Sequence, residues 1–193
     1  LSIEKARKAK PVWMFMVVAM AVYSFEGRKP VIGRGTYVHP SADIIGNVVV
    51  GGRCFIGPGA RIRGDYGRIE IGSNTAVEDN CVIHARPGEQ TRIGDWVTLG
   101  HGAIIHNCSI ADWVVVGMGA VVSDYAELGE WCVIGEGGVV RNNQKVAPGA
   151  IAVGVPVKVV GEVSQEYKDQ WRRFKEIYSE LAEKRYLEGL KPL

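Results

Sequence analysis

Residues 109–146 read SIADWVVVGMGAVVSDYAELGEWCVIGEGGVVRNNQKV. An aliphatic residue returns at every sixth position: Ile110, Val116, Val122, Leu128, Ile134, Val140 and Val146. An amphipathic helix repeats near 3.6 residues and a half-buried strand near 2, so neither explains a step of six. Short strands joined by tight corners do, as in a β-solenoid. Upstream the same step links Val38, Ile44, Val50, Ile56 and Ile62, then Ile71, Val77 and Ile83, then Ile93, Leu99 and Ile105. The position two before a marked residue is small or modestly apolar, as at Ala42, Ala60, Val114, Ala120 and Ala126. All four cysteines (Cys54, Cys81, Cys108, Cys132) fall there, which reads as small buried thiols in a reducing compartment rather than a metal or redox set.

Composition agrees with one such domain. The chain has 193 residues, 47% hydrophobic and 23% charged, enough for a single core. Its 25 glycines follow no G-X-Y period, which excludes collagen and points to corners. The net charge of +2 carries no phosphate-neutralising surplus, so nucleic acid is not an expected partner.

The two ends differ from the middle. Lys5, Arg7, Lys8 and Lys10 precede an apolar run from Val12 to Val22, too short to span a bilayer. No membrane partner is expected. Residues 1–23 read as an N-terminal extension, with residues 1–19 either upstream of a start at Met20 or added in cloning. A signal-like segment cleaved near Ala19-Met20-Ala21 and a genuine helical extension are the other readings. The expected location is cytoplasmic, or secreted if that signal is genuine. From Ser164 the apolar steps become four and three, through Tyr167, Trp171, Phe174, Tyr178 and Leu181. This predicts a helix of about 24 residues, capped by Ser164, with Glu166 favouring its first turn. Its aromatic stripe is expected to pack on the solenoid. The chain thus divides into 1–23, a solenoid over 24–161 and a helical segment over 162–193.

The repeat resembles the hexapeptide-repeat family, whose fold is an all-β, left-handed parallel β-helix with three hexapeptides per triangular coil. Eighteen marked positions then imply about six coils, stacked into a prism about 30 Å tall. The register is interrupted by insertions after Ile62 and Ile83 and by a deletion after Ile105. Both insertions are expected to form loops at one edge, often the binding edge of a solenoid.

Repeat counting places the histidines. His84 follows Ile83 and His106 follows Ile105, one coil apart, so they stack at one corner. Arg63 follows Ile62 and joins the same column. His101 lies on another face, with Glu78 one coil below and beside it. Two stacked imidazoles can share a metal, and a third histidine at another edge can come from a neighbouring copy in a threefold assembly. His39, in a Val38-His39-Pro40 corner, reads as structural.

The segments Arg63-Gly64-Asp65, Val77-Glu78-Asp79-Asn80-Cys81-Val82-Ile83-His84 and Gly100-His101-Gly102-Ala103-Ile104-Ile105-His106 resemble the gamma-class carbonic anhydrase family. The closer likeness is to its bacterial branch from carnitine and phenylacetate operons. It is carried by Ser24-Phe25-Glu26-Gly27, Val38-His39-Pro40-Ser41-Ala42 and Arg63-Gly64-Asp65-Tyr66-Gly67-Arg68. The resemblance implies a homotrimer with Zn²⁺, Fe²⁺ or Co²⁺ held by His84, His101 and His106 between subunits. It also implies CO2 hydration to bicarbonate by metal-bound hydroxide, with Arg63, Asp65 and Glu78 near the metal. The family usually has Gln where Glu78 stands. Tyr66 and Pro87 occupy places where the archaeal members carry acidic proton-transfer residues, which implies slow hydration, with Glu89 a substitute shuttle. A coenzyme A thioesterase using the same metal is the first alternative. An acyltransferase is the second, because Gly154-Val155-Pro156-Val157-Lys158 resembles the C-terminal coil of hexapeptide acyltransferases.

Overall fold

The computed structural model describes residues 22–191. The readings of residues 1–19 lie outside the described residues. The six-residue step becomes a three-walled, left-handed parallel β-helix of about seven turns. One wall stacks Val82–His84, Ile104–His106, Val121–Val122 and Val139–Val140 in register. A second stacks Gln90–Ile93, Ser109–Ile110, Glu127–Leu128 and Lys145–Val146. The third runs from Tyr37–Val38 through Ala76–Val77 and Thr98–Leu99 to Ala150–Val153. Each repeat aliphatic points inward: Ile44, Ile62, Ile83, Ile105, Val122 and Val140 have no exposed surface. The four cysteines are buried free thiols, and burial pushes Cys81, Cys108 and Cys132 up to about 12.

Two details modify the repeat count. Val22 pairs with Ile44 and Ile32 with Val50, so these two residues complete the coil to which Val38, opposite Ile56, belongs. The first insertion is not a loop. Strand Arg61–Ile71 runs through it, with Gly64 opposite Gly46 and Ile69 opposite Val48, so the extra residues bulge within extended backbone. A Cβ on Gly64 would lie 2.6 Å from the Asn47 carbonyl oxygen, so only glycine lets the strands close there. The second insertion, residues 85–89, is a loop as expected.

After the antiparallel strand Lys158–Glu162 the chain enters helix α1 (Gln165–Glu180), a π-helical turn (Leu181–Arg185) and helix α2 (Tyr186–Gly189). Ser164 Oγ accepts from the Tyr167 amide at 3.1 Å. The inward face is rotated from the expected stripe. Phe174 is 42% exposed, whereas Lys175, Ser179 and Ala182 are buried. A ladder of indoles stands on the prism: Trp96, Trp113 and Trp131 stack at 4.9 and 4.7 Å between centroids. The Arg172 guanidinium lies over Trp131 at 5.0 Å and Trp113 at 5.9 Å, fixing the helix rotation by cation–π contact. Among the described residues no helix is long and apolar enough to cross a membrane.

Candidate functional site

At one edge of the prism His106 lies opposite His84, and His84 opposite Arg63, as the repeat count requires. His84 Nδ1 and His106 Nε2 face each other at 3.2 Å. The outer nitrogen of each ring meets a carboxylate. Asp65 Oδ1 lies 2.9 Å from His84 Nε2, and Asp124 Oδ1 accepts from His106 Nδ1. Each carboxylate is held in turn by an arginine. Arg63 donates to Asp65, and Arg86 Nε donates to Asp124 Oδ2 at 2.7 Å. The result is one chain of contacts: Arg63, Asp65, His84, His106, Asp124, Arg86.

The local charges follow. Burial works to raise the Asp65 carboxyl, but hydrogen bonds from His84 and Arg63 outweigh it and hold the group below its usual value. The Arg86 hydrogen bond, with that of His106, does the same for Asp124. Tyr66 stands edge-on to His84 at 5.9 Å between ring centroids.

The donor set fits a metal. Two nitrogens bound to one tetrahedral ion at about 2.0–2.1 Å lie roughly 3.3–3.4 Å apart. The facing ring nitrogens are 3.2 Å apart, and a carboxylate on the far nitrogen of a ligating histidine is the usual outer support. Two nitrogens on one edge would leave a four-coordinate ion incomplete.

His101 sits at a different corner, after strand Thr98–Leu99. Its Nδ1 is 3.6 Å from Asp79 Oδ2, and its ring joins Asp79 and Glu78 in a cluster whose donor atoms lie within 4.8 Å of one another. Glu78 is buried, and its Oε1 has no hydrogen-bond partner. Burial pushes its carboxyl up, against the pull of His101. The six residues named from sequence therefore form two groups: Arg63, Asp65, His84 and His106 together, and Glu78 with His101. Asp124 and Arg86 are the members that sequence reasoning missed.

Apolar surface flanks both groups. Val82 and Ile104 are 40% and 43% exposed, two residues before His84 and His106 on the same strands. Met118 lies one coil above His101 and is exposed.

The family model described as bacterial transferase hexapeptide (six repeats) matches residues 29–64. The carnitine operon protein CaiE of Escherichia coli K12 is 36% identical over 154 residues, covering 80% of this chain and 78% of CaiE. The chain belongs to the hexapeptide-repeat family, in its carnitine-operon branch. Solved members of the fold agree. A Bacillus cereus crystal structure, an acetyltransferase by name, superposes with a TM-score of 0.83 at 33% identity, covering 88% of this chain and 98% of that one. A hexapeptide transferase family protein from Anaplasma phagocytophilum gives 0.80 at 30% identity, covering 84% and 96%.

Proposed function

We propose that the chain is a metal-dependent enzyme that hydrates CO2 to bicarbonate, with a centre completed between copies. His84 and His106 of one copy and His101 of the next would hold the ion, and Zn²⁺, Fe²⁺ and Co²⁺ all suit three histidines. The observation that carries this reading is the facing pair of ring nitrogens, 3.2 Å apart, each ring backed by a carboxylate. When bound, such an ion supplies a hydroxide nucleophile near neutral pH by lowering the pKa of water.

The chain's own residues do the rest. Asp65 and Asp124 fix the two rings, and Arg63 and Arg86 fix the carboxylates. Glu78, beside His101, is the group positioned to orient the attacking water or take its proton. Val82 and Ile104 near one half of the set, and Met118 near the other, are different apolar neighbours. A contact that joins His84 and His106 of one copy to His101 of the next is head-to-tail, the kind that forms a ring such as a trimer when its rotation closes. The two edge positions that the resemblance assigns to acidic proton-transfer residues hold Tyr66 and Pro87, which leaves Glu89 as the substitute shuttle and a slow rate as the expectation.

A second reading is acyl transfer from a coenzyme A thioester. It is favoured by the transferase description of the matched family, by the name of the Bacillus cereus protein and by the Gly154–Lys158 segment. It needs one histidine as general base and leaves the paired arrangement at His84 and His106 without a role. A thioesterase would use the metal centre on an acyl-CoA instead.

Anaerobic purification with metal analysis, followed by parallel assays of CO2 hydration, acyl-CoA hydrolysis and acetyl transfer, separates these readings. The proposal expects stoichiometric metal and hydration that a chelator abolishes. Acetyl transfer by metal-free protein would install the second reading in its place.

A further inference from the structure

We propose that Asp124, held by Arg86, is a positioning residue that sets which nitrogen of His106 is free to bind a metal. The inference rests on the metal reading above. Asp124 is 6% exposed, yet its two oxygens take two different donors: His106 Nδ1 on one side and Arg86 Nε on the other. An ionised carboxylate only accepts, so His106 Nδ1 must carry the proton. With Nδ1 donating to Asp124, Nε2 is the ring atom left to offer a lone pair, and it faces His84 Nδ1. Without Asp124 nothing on that side selects the tautomer, and a ring protonated on Nε2 presents no lone pair to an ion.

Arg86 is placed for this by the second insertion. Its amide donates to Asn107 Oδ1 at 3.2 Å, and the Asn107 amide donates to Thr91 Oγ1 at 2.9 Å. Thr91 Oγ1 in turn donates to the His84 carbonyl oxygen at 2.6 Å. Thr91 and Asn107 are both buried, so the loop is pinned to the two histidine strands and Arg86 is delivered over Asp124. The four extra residues after Ile83 therefore carry a support for the ring one coil above.

The test uses the full-length chain with Asp124→Ala, Asp124→Asn and Arg86→Ala. Nitrogen-15 NMR of the metal-free protein reads the His106 tautomer, and competition against a chelator reads Zn²⁺ affinity. The wild type should show His106 protonated on Nδ1. Asp124→Ala should mix the tautomers and weaken Zn²⁺ by about 10- to 100-fold, the usual effect of losing such a support. Asp124→Asn keeps an accepting oxygen and should fall between. A wild-type His106 protonated on Nε2 and bare on Nδ1 would overturn the proposal, as would an Asp124→Ala protein with unchanged tautomer and affinity. If Asp124→Ala does not fold, unchanged readings in both Asp124→Asn and Arg86→Ala overturn it equally. A wild type that takes up no Zn²⁺ would refute the metal reading, while the tautomer would still decide the role of Asp124.

Discussion

Lys175 Nζ, carried on helix α1, donates to the Val97 carbonyl oxygen at 2.7 Å across 78 residues of sequence. It also donates to Thr98 Oγ1 at 3.0 Å, and the side chain is fully buried. Burial pushes this ammonium down to about 7.

A pH dependence of stability follows. The folded value lies below the roughly 10.4 of a free lysine, so above pH 7 the unfolded chain binds more protons than the folded one. Stability linked to Lys175 therefore rises with pH from about 7 upward and is lost as pH falls through 7. Urea unfolding of wild type and Lys175→Met at pH 6.5 and 8.5 reads this directly. The gap should move in favour of wild type by up to ~2 kcal/mol at the higher pH, from about 1.4 kcal/mol per unit. A gap that stays flat across the range contradicts it.

Replacing His106 with Ala should remove metal and hydration together, because two remaining ligands hold Zn²⁺ poorly against dilution. Arg63→Ala should retain more metal but lower activity, since Arg63 reaches the centre only through Asp65. Metal content measured beside turnover distinguishes the two. Full turnover in His106→Ala would sink the assignment of that ligand.

The stacked histidines were legible because a period of six converts residue number into height along the prism. The Arg86–Asp124 arm was not. Val122 lies opposite Ile105, so counting onward puts Ser123, not Asp124, above His106. Asp124 reaches the ring from one position further on, at a coil that the shortened step after Ile105 has offset. Arg86 sits in an inserted loop, where the period says nothing. The bulge at Asp65 and the rotation of helix α1 escaped for related reasons. A lysine with two acceptors inside the interface is invisible to a count of apolar residues, which placed Phe174 inward instead.

Gly67 is the contact between the two insertions. A Cβ there would lie 2.5 Å from the Arg86 carbonyl oxygen and 2.7 Å from the Ala85 Cβ. Gly67→Ala should push the edge loop outward, destabilise by about 1–3 kcal/mol as overpacking does, and lower metal affinity through Arg86. Thermal unfolding and chelator competition on the same sample check both effects. An unchanged affinity would show that the loop position does not reach His106.

Glu78→Gln removes a buried carboxylate whose Oε1 has no partner. The variant should melt at the same temperature or higher, because burying an amide costs less than burying a charge. If Glu78 only orients water, hydration should be retained or raised. A loss of activity at unchanged metal content would instead make Glu78 the proton acceptor.

The central claim is a metal centre shared between copies, and subunit mixing tests it most directly. His101→Ala and His106→Ala chains each lack a ligand at every site of their own trimers. In a mixed ring, one junction joins the intact His84 and His106 of the first variant to the intact His101 of the second. Native mass spectrometry of the co-expressed variants should show metal-free homotrimers beside mixed trimers that carry a single ion. Mixed assemblies without metal, or a single chain that holds the ion alone, would contradict the account.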